Sequence, residues 1–446
     1  MRWITPLLIL LSVIVSGIIP VRVRAHPLPP AGAGPQATRT IQWAGRTWMV
    51  RPWPGGPGPN LWCDAADCVW VDDHAALHLT IRYIDGHWYA SEILTEDFTN
   101  FGEHRFYVEG PIDSLDPNVV LGLFLYSNIE DDDIEELDVE FASWGNADPA
   151  ADEGWYTTWY QNAIGDQYSF HVSLNGSYTT HAIDWQPARV DFESLHGFYA
   201  IPPDASYVIA RWHTSNPNVI PAPGDDMRIH LNLWLMNGQA PTDGQEVEIV
   251  IHDLEAPPEI PKNVRASDGA SSLAVKVAWD DVVTASAYRV YRAESESGPE
   301  VLLGTTTGTS FDDTTADADR TYYYRTTGVN DQGESLASAW DTGWRAIPMT
   351  LTTHLLQGGD VALRWEDRSE ACSYEVFRDL TPYFDPAVLS PAATLNPPAS
   401  SYTFPADAGD PAENHYYLVR AIGCLSGQPS PSNRSGEFDF PLSPGR

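Results

Sequence analysis

The chain has 446 residues, enough for roughly three domains at about 150 residues each. Its formal net charge is −36 and lysine occurs only at Lys262 and Lys276, which excludes phosphate-backbone binding and so nucleic acid as a partner. Aromatic residues make up 11% of the chain, with 17 Trp, too rich for disorder and suited to sugar stacking or to packed β cores.

The first segment reads as an export signal. Arg2 precedes the apolar run Ile4 to Ile19, and Val23-Arg24-Ala25 offers a small-residue cleavage site. The run is short against the ~20 apolar residues of a membrane helix, so removal of residues 1–25 is expected. The alternative is an uncleaved anchor flanked by Arg22 and Arg24. The expected mature chain starts near His26 and is secreted, with cell-surface attachment open and no stable membrane insertion. Export permits disulfides. Cys63 with Cys68, and Cys372 with Cys424, is the simplest of the three connectivities. No paired CxxC and no HExxH spacing marks a zinc site.

From Thr40 onward helical periodicity is nearly absent. Short alternating stretches, such as Ala76 to Tyr83 and Met227 to Trp234, are separated by Gly, Pro, Asn and Asp clusters. That pattern predicts an all-β protein of sandwich type. One large unit covers residues 40–256, and Ala256-Pro257-Pro258-Glu259-Ile260-Pro261 reads as a stiff linker.

The remainder repeats itself. Trp279, the strand around Tyr288-Arg289-Val290 and the Tyr322-Tyr323-Tyr324 strand recur as Trp365, Tyr374-Glu375-Val376 and Tyr416-Tyr417. A core Trp, a Tyr-x-Val strand and a Tyr-rich strand over about 90 residues predict a seven-strand sandwich used twice. The two copies, residues 258–347 and 348–442, resemble fibronectin type III modules. They carry no evident chemistry and are expected to act as spacers or surface-attachment modules. A fragment of about residues 26–257 is accordingly expected to fold alone and act on soluble substrate.

The segment with chemical meaning is Glu136-Leu137-Asp138-Val139-Glu140-Phe141. In a strand, alternate side chains share a face, so Glu136, Asp138 and Glu140 point one way and Leu137, Val139 and Phe141 the other. Three acids side by side repel one another, and such a cost without local gain marks a site. The repulsion raises carboxyl pKa values, so one group can hold a proton near neutral pH. A retaining glycosidase needs that pair of states, one carboxylate and one carboxylic acid. The preceding run Asp131 to Asp133 reads as a solvated loop. It lacks the ordered D-x-[DN]-x-[DN]-G ligand pattern of a calcium site, and no metal or cofactor is expected.

Glu-Leu-Asp-Val-Glu resembles the E-[I/L]-D-x-E signature of glycoside hydrolase family 16, the laminarinase, lichenase and xyloglucan-transferase group. Ser91-Glu92-Ile93, Phe101 to Phe106, His181 to Pro187 and Leu231-Asn232-Leu233-Trp234 are similar to its flanking segments over about residues 40–255. The resemblance implies a β-jelly-roll, with Glu136 as nucleophile, Asp138 as assisting carboxylate and Glu140 as acid/base. It implies sugar contacts at Trp185 and Trp234. Leu94 stands where the family's early Glu-x-Arg has arginine, and the motif is unbulged, as in mixed-linkage glucanases and xyloglucan-active members.

Alternation adds Trp144, in phase with Glu140, and Trp155 with Trp159, flanking Thr157, as sugar platforms. Core packing is the competing reading for each Trp. Glu92 either binds a substrate hydroxyl or is a solvated strand residue, residues 53–62 fit a loop on the cleft rim, and Arg105 and His181 read as structural hydrogen-bonders. The expected function is a secreted, monomeric, endo-acting retaining hydrolase of β-glucan, with β-1,3-1,4-glucan preferred. A β-1,3-glucanase, a transglycosylase on the same site and a non-catalytic lectin-like sandwich are the alternatives. The intact acid triad weighs against the last.

Overall fold

The structure, a computed structural model, describes residues 38–128, 134–160, 163–222, 226–408 and 413–436. The export signal and the acid run through Asp133 lie outside the described residues. The fold is all-β: a two-sheet jelly-roll sandwich followed by two smaller sandwiches.

The jelly roll opens with β1 (Thr40–Trp43), β2 (Arg46–Val50), β3 (Val69–Val71), β4 (Leu77–Ile84), β5 (His87–Tyr89) and β6 (Ser91–Thr95). It continues through β7 (Gly102–Glu109), β8 (Val119–Asn128), β9 (Ile134–Phe141), β10 (Gly154–Tyr160) and β11 (Ala163–Phe170). It closes with β12 (Tyr178–Gln186), β13 (Arg189–His196), β14 (Val208–Thr214), β15 (Arg228–Leu235) and β16 (Val247–Glu255). One sheet has the order β1-β2-β6-β15-β8-β9-β10-β11; the other runs β14-β13-β12-β7-β16-β4-β3, with β5 added on β4.

The two sheets bury one continuous core between them. Leu137, Val139 and Phe141 enter it from β9, and Leu121, Leu123 and Leu125 from β8. Each such side chain contributes roughly 1.5–3 kcal/mol by leaving water. This burial fixes the register of β9, because a one-residue slip would turn the carboxylates into the core. β9 ends at Phe141, and Ser143 to Asn146 form a turn in which Trp144 and Gly145 take positive φ. The expected alternation therefore stops before Trp144, because the Gly, Asn, Asp and Pro that follow favour a turn.

Cys63 is bonded to Cys68, and Cys372 to Cys424. The seven strands between Arg265 and Trp344 form a three-stranded and a four-stranded sheet. Between Thr352 and Gly436 a three-stranded sheet faces a five-stranded one, with the last strand split into two short pieces. The sequence repeat returns as buried polar geometry. Trp279 packs on Tyr288 at 5.3 Å and Trp365 on Tyr374 at 5.6 Å. In the first copy Asp313 takes Arg292 and the Tyr324 hydroxyl; in the second Asp407 takes Arg378 and the Tyr417 hydroxyl. These tyrosines and tryptophans fill cores.

Candidate active site

β9 pairs with β8 and β10 without a register shift. Glu136 stands opposite Tyr126 and Trp159, Asp138 opposite Phe124 and Thr157, and Glu140 opposite Gly122 and Trp155. β15 extends the same rows, with His230 opposite Phe124 and Asn232 opposite Gly122. β6 adds Glu92 opposite Asn232. Strand alternation places all of these on the face turned away from the core.

Asp138 is buried, while Glu136 and Glu140 are half-buried. Burial, then the charge of Glu140, raises Glu136, and a hydrogen bond from Asp138 opposes the rise. Burial, then Glu136 and Glu140, holds Asp138 well above the usual carboxylate range. Burial raises Glu140. The Glu136–Asp138 bond lowers Glu136 and raises Asp138, the sense of a proton held on Asp138 and directed at Glu136. Trp159 also hydrogen-bonds Asp138. The three carboxyls titrate as a unit and do not hold three charges together at neutral pH.

A buried ion pair lies on the same face. Arg51 Nη1 is 2.7 Å from Glu92 Oε2, and His230 Nδ1 is 3.0 Å from Glu92 Oε1. Glu92 is 1% exposed, so it is not a solvated strand residue. Both of its oxygens have protein partners, and its charge also raises Glu136. Leu94 sits opposite His230, and the guanidinium beside Glu92 comes instead from the chain just after β2. Arg51 further covers the ring of Trp62 at 4.2 Å and donates to the Trp53 carbonyl. It thereby ties the 53–62 loop to the sheet. Asn60 ties the far end of that loop, donating to the Leu235 carbonyl and accepting from the Leu235 N–H.

Aromatic side chains close the Glu140 end. Trp144 lies 6.2 Å from Trp155 and 6.1 Å from Trp234, in a cluster with Trp62 and Met236. Trp155 Nε1 donates to the Ala142 carbonyl, which fixes its ring beside Glu140. Trp159 packs with Phe124, Tyr126 and Ile134 at the Glu136 end. Trp234 is buried behind Trp144.

Trp185 is not on this face. It belongs to β12 in the other sheet, is fully buried in the core, meets Phe101 edge-on at 4.7 Å and donates to the Pro221 carbonyl. This corrects the expectation of a sugar contact there; alternation along β12 turns Trp185 inward with Ile183. His181 is buried between Ser194 and Thr179 hydroxyls, with burial lowering it to about 3, and Arg105 pairs with Glu103 and Glu255. Both are structural.

The sequence reading missed Arg51, Tyr126, His230 and Asn232 as site residues. The alternation of Met227 to Trp234 carried a signal for His230 and Asn232, in phase with Trp234. Arg51 reaches Glu92 across 41 positions and left no local signal. Asn232 is buried and its Oδ1, like Asp138 Oδ2, has no hydrogen-bond partner among the described residues. A Cβ on Gly122 would stand 2.4 Å from Asn232 Oδ1, so only glycine leaves room for that side chain beside Glu140.

No family model matches the chain, and no curated protein matches it. Among solved structures, the beta-glucanase of Bacillus licheniformis is similar at 16% identity and a TM-score of 0.36, covering 49% of this chain and 98% of that one. A beta-1,3-1,4-glucanase (lichenase) derived from a mouse hindgut metagenome is similar at 17% identity and a TM-score of 0.35, covering 46% and 90%. An Fn3-like protein from Clostridium thermocellum is similar at 26% identity and a TM-score of 0.19, covering 21% of this chain and 97% of that one.

Proposed function

We propose that the chain is a secreted, monomeric, retaining endo-glycosidase of the family 16 type that cleaves β-glucan, with residues 40–256 as catalytic domain and two fibronectin type III-like modules behind it. The observation that carries this reading is the Glu136-Asp138-Glu140 row on one strand face, with Asp138 bonded to Glu136 and Trp155 and Trp159 alongside.

In this mechanism Glu136 attacks the anomeric carbon while Glu140 gives its proton to the departing glycosidic oxygen. The C–O bond to the leaving sugar breaks as the bond to Glu136 forms. Glu140, now ionised, takes a proton from water; that water attacks the anomeric carbon and releases Glu136. Asp138 holds its proton against Glu136, steadying the carboxylate before attack and after release. Burial keeps Glu140 protonated for the first step.

Glu136→Gln and Glu140→Gln are each expected to lower kcat by about 10³-fold or more with the fold intact, and Asp138→Asn by roughly 10–100-fold. The unshifted pairing of β9 on both sides supports preference for a mixed-linkage glucan. Initial rates should be higher on barley-type β-1,3-1,4-glucan than on laminarin, read by reducing ends and product chromatography. A clear laminarin preference would refute the linkage assignment, and full turnover by either Gln variant would refute the roles.

A further inference from the structure

The loop Glu96 to Phe101, between β6 and β7, lies at the Glu136 end of the carboxylate face. Arg228 on β15 is opposite Tyr126, which is opposite Glu136, so Arg228 stands two strands away, roughly 10 Å between Cα atoms. Arg228 Nη1 donates to the Thr95 carbonyl at 2.6 Å and to that of Glu96, and its guanidinium covers the Phe98 ring at 4.2 Å. The Thr99 N–H donates to the Met227 carbonyl at 2.8 Å.

The first small sandwich grips the same loop from the other side. Lys262 Nζ is 2.9 Å from Asp97 Oδ2, and Asn100 Nδ2 donates to the Glu334 carbonyl. Gly102 and Gly333 form an antiparallel bridge, and the Glu103 N–H donates to the Gln332 carbonyl at 3.0 Å. The gripping turn is itself held. Asn330 Oδ1 accepts from the N–H groups of Gln332 and Gly333, and its Nδ2 donates to the Ala256 carbonyl. Neither glycine tolerates a side chain: a Cβ on Gly102 would lie 2.3 Å from the Gln332 carbonyl oxygen, and one on Gly333 2.8 Å from that of Phe101. The linker is no free spacer, since buried Arg46 donates to the carbonyls of Ala256 and Pro257.

We propose that the first small sandwich is a working part of the substrate-binding face. It sets the position of loop 96–101, and through Phe98 and Arg228 it shapes the Glu136 end of the groove, where sugar units beyond the reacting one must lie. This rests on the function proposed above. The module then governs how strongly longer glucan chains bind, and acts on soluble as well as insoluble substrate.

The test uses the full chain with Gly333→Val and, as a milder change, Lys262→Ala. Hydrogen–deuterium exchange reads the docking without any activity. In Gly333→Val, amides of residues 97–103 should exchange about tenfold faster or more, with β12 and β13 unchanged, and Lys262→Ala should show the same pattern more weakly. On soluble oligosaccharides of increasing length, KM should rise severalfold for the longest and stay unchanged for the shortest that is cleaved. Unchanged exchange in both variants overturns the docking. Faster exchange with no length-dependent change in KM overturns the role in binding. A wild-type protein inactive on every glucan would sink the proposed function instead, with the exchange result still deciding the docking.

Discussion

Asp138 and its two flanking glutamates are a cost that the fold carries. Burial, with the charge of Glu140 added, pushes Glu136 up to about 8, and burial pushes Glu140 up to about 7, against 4.5 for the free side chain, the protons being shared across the coupled set. Between those values the folded chain holds protons that the unfolded chain has lost. Stability therefore falls as pH rises from about 4.5 to about 8. Glu136→Gln removes one of these groups and should melt higher than wild type at pH 8, by roughly 2–4 °C for a gain of about 1 kcal/mol. The gap should close near pH 4.5. A Gln variant that melts lower than wild type at pH 8 would mean that the bond from Asp138 to the Glu136 anion outweighs burial and repulsion there.

At the scale of elements, the face of β9 was legible because its alternation is strict and its apolar side chains are strong core formers. Trp155 and Trp159 were legible for the same reason, in phase on β10. Trp185 was not, because a tryptophan inside a strand motif looks alike whether it turns toward sugar or core. Nothing local distinguishes the two; the packing of β12 against β7 and β13 decides. The Arg51–Glu92–His230 group shows the other limit. Its members come from three separate segments, and only the assembled sheet brings them together. Arg51→Met would take the guanidinium from a buried carboxylate and loosen the 53–62 loop at its Trp53 end. A loss of about 3–5 kcal/mol is expected in chemical denaturation. A loss under about 1 kcal/mol would show that water replaces the guanidinium at Glu92.

For the whole molecule, the proline segment after residue 255 marked a boundary in the chain. It did not show that the next sandwich folds back on the jelly roll, because the contacts are mostly backbone carbonyls, glycines and one lysine. The repeat was legible at the level of Trp and Tyr, whereas the paired Arg–Asp–Tyr networks emerged only in the fold. The two disulfides close loops of very different length, 5 and 52 residues. Chain entropy assigns about 2 kcal/mol to the first and about 4 to the second. Reduction should therefore lower the melting of the last sandwich more than that of the jelly roll, read by calorimetry with and without reductant. Equal shifts would contradict the chain-entropy ranking.

In the proposed double displacement Glu136 is the nucleophile and Glu140 the acid/base. Azide added to Glu136→Ala, with an activated β-glucoside or a β-glucan oligosaccharide as substrate, tests both roles at once. Azide then fills the space of the lost carboxylate and attacks the anomeric carbon directly, so NMR of the product should show an α-glycosyl azide. A β-glycosyl azide from Glu136→Ala would exchange the roles of the two glutamates. No rescue of that variant, alongside undiminished hydrolysis, would contradict the assignment altogether.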